Sequence, residues 1–168
     1  PGAAGGYLHN EQKIPLNETE DVQLLKKLLN NRIEEWFGLN SINVARIDGE
    51  FDLIDARSED MHISDHVELK TALSKNQKSF IFENVKGSLV CVYYPDFMDG
   101  INASGWHFHF ISEDRKYGGH VFDLKIKKAE LSYSKMSMLE IQLPKDPSFD
   151  TYALKEASKK DIKEVEQK

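Results

Sequence analysis

Residues 105–123, Gly-Trp-His-Phe-His-Phe-Ile-Ser-Glu-Asp-Arg-Lys-Tyr-Gly-Gly-His-Val-Phe-Asp, constrain the fold of this chain more than any other stretch. Trp106, Phe108 and Phe110 alternate with His107 and His109, and successive side chains on a strand point to opposite faces. One face is therefore aromatic and suited to a core, and the other presents two imidazoles side by side. A turn at Glu113-Asp114-Arg115-Lys116, with Asp114 and Arg115 at its tip, sets His109 directly opposite His120 and puts His107 on the diagonal. Cross-strand neighbours on one face have Cβ atoms roughly 4.5–5.5 Å apart when opposite and about 7–8 Å when diagonal. Three neutral nitrogens so placed suit an open zinc site of the catalytic type, at Zn–N distances of about 2.0–2.1 Å. Gly118-Gly119 is where a bulge would shift this register. The competing reading is of satisfied polar histidines that hold no metal.

Composition bounds what surrounds this hairpin. At 168 residues, with 40% hydrophobic and 30% charged side chains, the chain suits one globular domain with a real core. A net charge of −6 argues against nucleic acid or an anionic membrane as partner, since either calls for a basic surface. No apolar run approaches the roughly 20 residues that span a bilayer. Cys91 is the only cysteine, so neither an intrachain disulfide nor a thiolate zinc site is expected, and within Ser-Leu-Val-Cys-Val-Tyr-Tyr it reads as a small core hydrophobe. No signal peptide is visible, and the expected compartment is cytoplasmic, or extracellular if a leader has been removed.

The rest of the chain reads in order. Residues up to about Pro15 carry no period and read as a loose lead-in. From Glu18, Val22, Leu24, Leu25, Leu28, Leu29, Ile33 and Trp36 follow helical spacing, with Asn17 or Thr19 as cap and Gly38 as stop. Asp48-Gly49 between the half-apolar runs 41–45 and 51–56 predicts a hairpin, and residues 84–87 predict a second one between 79–83 and 87–94. Residues 65–73 read as a short helix. His62 and His66, four apart in it, read as solvated or capping residues, since nothing nearby completes a metal site. Residues 95–105 form a loop into the histidine hairpin, with Gly100 and Gly105 allowing tight turns. Strands over 121–127 and 129–143 follow, Pro144 and Pro147 break the pattern, and 152–166 form a charged helix. The predicted class is α+β, a mostly antiparallel or mixed sheet with flanking helices and the zinc site on a β-hairpin.

Gly100-Ile-Asn, the run Gly105-Trp-His-Phe-His-Phe-Ile-Ser-Glu-Asp-Arg-Lys and Gly118-Gly-His-Val-Phe-Asp123 together closely resemble α-acetolactate decarboxylase. Arg46-Ile-Asp-Gly49, Ala56-Arg-Ser58, Phe82-Glu-Asn-Val85, Pro95-Asp96 and Leu143-Pro144 extend the resemblance from about residue 20 to the C-terminus. It implies decarboxylation of (S)-2-acetolactate to (R)-acetoin and CO2, with a zinc ion on His107, His109 and His120. It also implies roles for Arg57, at the start of the Arg-Ser pair, and for Glu166 near the metal. Arg57 would dock the anionic substrate and protonate the enediolate on one face. A small anionic substrate and a homodimer follow from the same resemblance.

The resemblance aligns the chain with the family's C-terminal portion, residues 1–17 being a flexible leader and 18–168 the zinc-binding part. The family's N-terminal portion carries a Leu-Asp-Gly-Glu turn whose glutamate belongs to the site. Ile47-Asp-Gly-Glu50 looks similar but falls in the later half, so that role is not carried to Glu50. Two other classes stay open: another zinc lyase or hydrolase on the same three histidines, and a truncated or catalytically silent metal-binding homologue.

Overall fold

Helix α1 (Val22–Trp36) turns its buried Val22, Leu25, Leu29 and Ile33 onto a sheet, as the helical spacing requires. Burying side chains of this size contributes about 1.5–3 kcal/mol each. The cap is Asp21, whose carboxylate accepts from the Leu24 N–H at 2.7 Å. Neither expected cap, Asn17 or Thr19, takes that place, and Thr19 is instead bridged to Ile126 through paired backbone hydrogen bonds of 3.0 and 2.8 Å. At the other end Gly38, at φ 76°, stops the helix as predicted, its N–H reaching the Ile33 carbonyl at 2.8 Å. These details come from a computed structural model that describes residues 13–59, 77–143, 145, 147 and 150. The expected helices at 65–73 and 152–166, with His62, His66 and Glu166, lie outside the described residues.

Among the described residues five strands make the sheet: β1 (Ile14–Leu16), β2 (Ile42–Glu59), β3 (Gln77–Tyr94), β4 (Gly105–Ser112) and β5 (Gly118–Met136). Their order is β1-β5-β2-β3-β4, with β5 also pairing β4, so that β2, β3, β4 and β5 close into a ring. Every pairing between these strands is antiparallel. The observed class is thus a mostly antiparallel β-sheet packed by helix α1, with a 3-10 turn at Asp96–Met98 and further helical residues at 147 and 150. The core fills the inside of the ring with Ile47, Phe51, Ile54, Leu89, Phe108 and Leu124, and α1 adds to the same cluster. Trp106 ties helix to sheet by donating its indole N–H to Asn30 at 2.8 Å. Cys91 is fully buried in this core, as expected. No helix among the described residues is long and apolar enough to cross a membrane.

Several strand boundaries differ from the sequence expectation. Both predicted hairpins, at Asp48-Gly49 and at 84–87, are interior to the continuous strands β2 and β3. Gly49 and Gly87 are register partners of each other. A Cβ on Gly49 would collide with the Lys128 carbonyl and Ala129, and one on Gly87 with the Ile111 carbonyl and the Phe110 ring. These glycines permit backbone contact in a coiled sheet, where turns were expected. Likewise β5 runs unbroken through residue 128 and ends at Met136, short of the expected 143. Part of the presumed lead-in forms β1, which pairs with Ala129–Leu131 of β5 through Ile14, Pro15 and Leu16.

Candidate metal and substrate site

The histidine hairpin forms in the predicted register. His109 is the partner of His120, Phe110 of Gly119 and Ile111 of Gly118. The glycine pair therefore introduces no shift, and a Cβ on Gly118 or Gly119 would press on the backbone of Phe110 or Arg57. Trp106, Phe108 and Phe110 are buried, while His107 and His120 are partly exposed and His109 is exposed. Alternation has thus put the aromatic rings inside the ring of strands and the imidazoles on its outer face.

Arg57 reaches the same place from a different part of the chain. On β2 it is the register partner of His120, so Arg57, His120 and His109 form one cross-strand row. The row continues through Val90 on β3 to Arg46, which returns it to β2. The guanidinium carbon of Arg57 lies 4.0 Å from the centroid of the Phe122 ring, and that ring is 4.9 Å from His120. Sequence reasoning did not single out Phe122; its spacing of two from His120 was the available signal.

The imidazole geometry bears directly on a metal. His120 Nδ1 and His109 Nε2 are 3.3 Å apart. Two nitrogens bound tetrahedrally at about 2.0–2.1 Å from one zinc would be separated by about 3.3 Å. His107 Nε2 is 2.8 Å from the Ala103 carbonyl oxygen. A carbonyl only accepts, so this contact requires a proton on Nε2 and leaves the lone pair of a neutral ring on Nδ1. Metal-binding histidines commonly donate their other N–H to a backbone carbonyl in this way. The His107 and His120 ring centroids are 6.3 Å apart, against 5.0 Å for His109 and His120. Among the described residues no three His, Cys, Asp or Glu side chains are gathered into a ready ligand set. The donor chemistry fits zinc, with His109 and His120 already at ligand spacing and His107 standing off on the same face.

A groove of about 780 Å³ adjoins this face, sharing Val90 and Ile111 with it and continuing to Arg46, Asp48, Glu50 and Lys86. Four of its charged residues are joined in two ion pairs. Arg46 pairs with Asp48 at 2.9 Å and Lys86 with Glu50 at 3.0 Å. The hydrogen bond and charge of Lys86 hold the Glu50 carboxyl below its ordinary range. Glu50 is thus engaged in a surface ion pair, away from the histidines in the strand register.

A family model described as alpha-acetolactate decarboxylase matches residues 3–156. Curated alpha-acetolactate decarboxylases from Brevibacillus brevis and Methanosarcina mazei are 32% and 33% identical to the chain, over 89% and 99% of its length. The matches cover 51% and 56% of those relatives, so the chain spans about half their length. The crystal structure of alpha-acetolactate decarboxylase from Bacillus subtilis strain 168 superposes with a TM-score of 0.84 at 28% identity, over 94% of this chain and 66% of that one.

Proposed function

The chain belongs to the alpha-acetolactate decarboxylase family, and from that premise we propose that it converts (S)-2-acetolactate to (R)-acetoin and CO2, with zinc held by His107, His109 and His120. The observation that supports this reading is the cross-strand row Arg57–His120–His109, an arginine and two histidines on successive neighbouring strands, with the two imidazole nitrogens 3.3 Å apart. A small anion with neighbouring oxygens is the ligand such a pair of features suits.

The reaction needs an anchor, an electron sink and a proton. The bond from the hydroxyl-bearing carbon to the carboxylate breaks, CO2 leaves, and its electron pair passes into the adjacent ketone as an enediolate. A proton returned to that carbon gives acetoin. Zinc held by His107, His109 and His120 would supply Lewis acidity to the electron sink. Arg57 offers parallel N–H donors to the carboxylate, a bidentate contact that fixes orientation as well as charge. It offsets the cost of bringing an anion to a protein of net charge −6. The (R) product requires the proton on one face of the enediolate, and this reading assigns that face to Arg57. A guanidinium holds its proton too tightly to be a good acid by ordinary matching, which makes docking the larger of its contributions. The Ala103 carbonyl holds the His107 ring in one tautomer. Glu166 completes the assignment as a group that orients a proton near the metal, and a homodimer is the assembly this reading takes.

The test is acetoin formation from racemic acetolactate by the zinc-loaded chain, read by chiral chromatography. (R)-Acetoin formed from half of the racemate supports the assignment. No acetoin above the uncatalysed rate overturns it.

A further inference from the structure

The register of β2 against β5 slips between Asp55 and Ala56: Asp55 faces Asp123 and Ala56 faces Val121, which leaves Phe122 as the extra residue of a bulge. Bulges next to functional sites commonly re-aim one side chain. This one is held from both sides. Val121 is buried in the core, and the Asp123 carboxylate accepts from the Val22 N–H at the start of α1 at 3.1 Å and from the Leu124 N–H at 2.9 Å. The Phe122 ring so aimed has the Arg57 guanidinium 4.0 Å and the His120 ring 4.9 Å from its centroid.

We infer that Phe122 is a positioning residue, whose bulge-directed ring face holds the Arg57 guanidinium beside the His120 imidazole. A cation within about 6 Å of an aromatic centroid is attracted to the ring face. Arginine otherwise has many rotamers to lose on meeting a ligand, and a ring already against it reduces that loss. This deepens the function proposed above and rests on it for the identity of the anion, but the placement of Arg57 by Phe122 is testable without turnover.

The test pairs Phe122→Leu, which keeps apolar volume and removes the ring face, with Phe122→Tyr, which restores it. Phenylglyoxal labelling of Arg57, followed by peptide mass spectrometry on the folded full chain, is expected to be several-fold faster in the leucine variant and close to wild type in the tyrosine variant. Labelling of Arg46 serves as the internal control. With acetolactate as substrate, KM is expected to rise roughly three- to thirty-fold in Phe122→Leu, with a smaller change in kcat and recovery in Phe122→Tyr. Equal Arg57 labelling in all three proteins overturns the inference, as does labelling in the tyrosine variant as fast as in the leucine variant. If the wild-type chain forms no acetoin, the decarboxylase reading fails while the labelling result still decides the role of Phe122.

Discussion

Arg57 stands directly opposite His120 across β2 and β5, with its guanidinium against the Phe122 ring and His120 in turn opposite His109. Residues far apart in sequence thus meet on one outer face of a closed ring of strands. The pairing of a permanent cation with two imidazoles gives that face its chemical character.

Replacing Arg57 by lysine tests the anchor. Lysine keeps the charge but loses the planar fork and its contact area with Phe122. Losing one of two charge-assisted hydrogen bonds costs about 1.5–3 kcal/mol, so kcat/KM for acetolactate should fall roughly ten- to hundred-fold. Zinc content by elemental analysis should be unchanged. Wild-type turnover in this variant removes Arg57 from the mechanism.

Substitution at Gly49 tests why β2 runs straight where a turn was expected. The alanine methyl would press on Ala129 and the Lys128 carbonyl. Overpacking of this kind costs about 1–3 kcal/mol. The urea midpoint of Gly49→Ala should drop accordingly. An unchanged midpoint would show that β2 and β5 are not in this close contact.

Burial pushes the Cys91 thiol well above its ordinary pKa. The folded state therefore keeps the proton at a pH where the unfolded chain has released it. Stability from this group is fully present below the ordinary thiol range and declines as pH rises beyond it. Urea midpoints of wild type and Cys91→Ala should converge between about pH 8 and pH 10 as the thiol's share of stability is lost. A constant difference across that range contradicts the buried placement. The native thiol should likewise react with Ellman's reagent only on unfolding.

The hairpin was legible in the sequence because period two separates Trp106, Phe108 and Phe110 from His107 and His109, and because a short polar turn leaves little freedom in register. The helix was legible for a similar reason, four buried residues at helical spacing. Asp48-Gly49 and 84–87 misled because glycine and asparagine serve two purposes. They close turns, and inside a strand they also admit a neighbouring backbone or a positive φ, as Asn84 does at 51°. Local sequence does not distinguish these cases; Gly49 facing Gly87 across two strands does. The helix cap was one step further from sight, because Thr19 is claimed by a bridge to Ile126 and leaves Asp21 to cap. Arg57 entered through resemblance alone, and its place opposite His120 depends on the closure of the ring. The spacing of two from His120 puts Phe122 on the same face, but the bulge that carries it is not visible in periodicity.

The proposed decarboxylation rests on zinc held by His107, His109 and His120. Zinc per chain should be measured by elemental analysis alongside acetoin formation for wild type, His107→Ala and His120→Ala. The account predicts about one zinc and measurable acetoin for the wild-type chain, and loss of both in each variant, since removing one of three ligands weakens a site well beyond the 10–100-fold typical of an outer-shell change. Normal zinc content in either variant, or a wild-type chain that binds zinc and forms no acetoin, would contradict it.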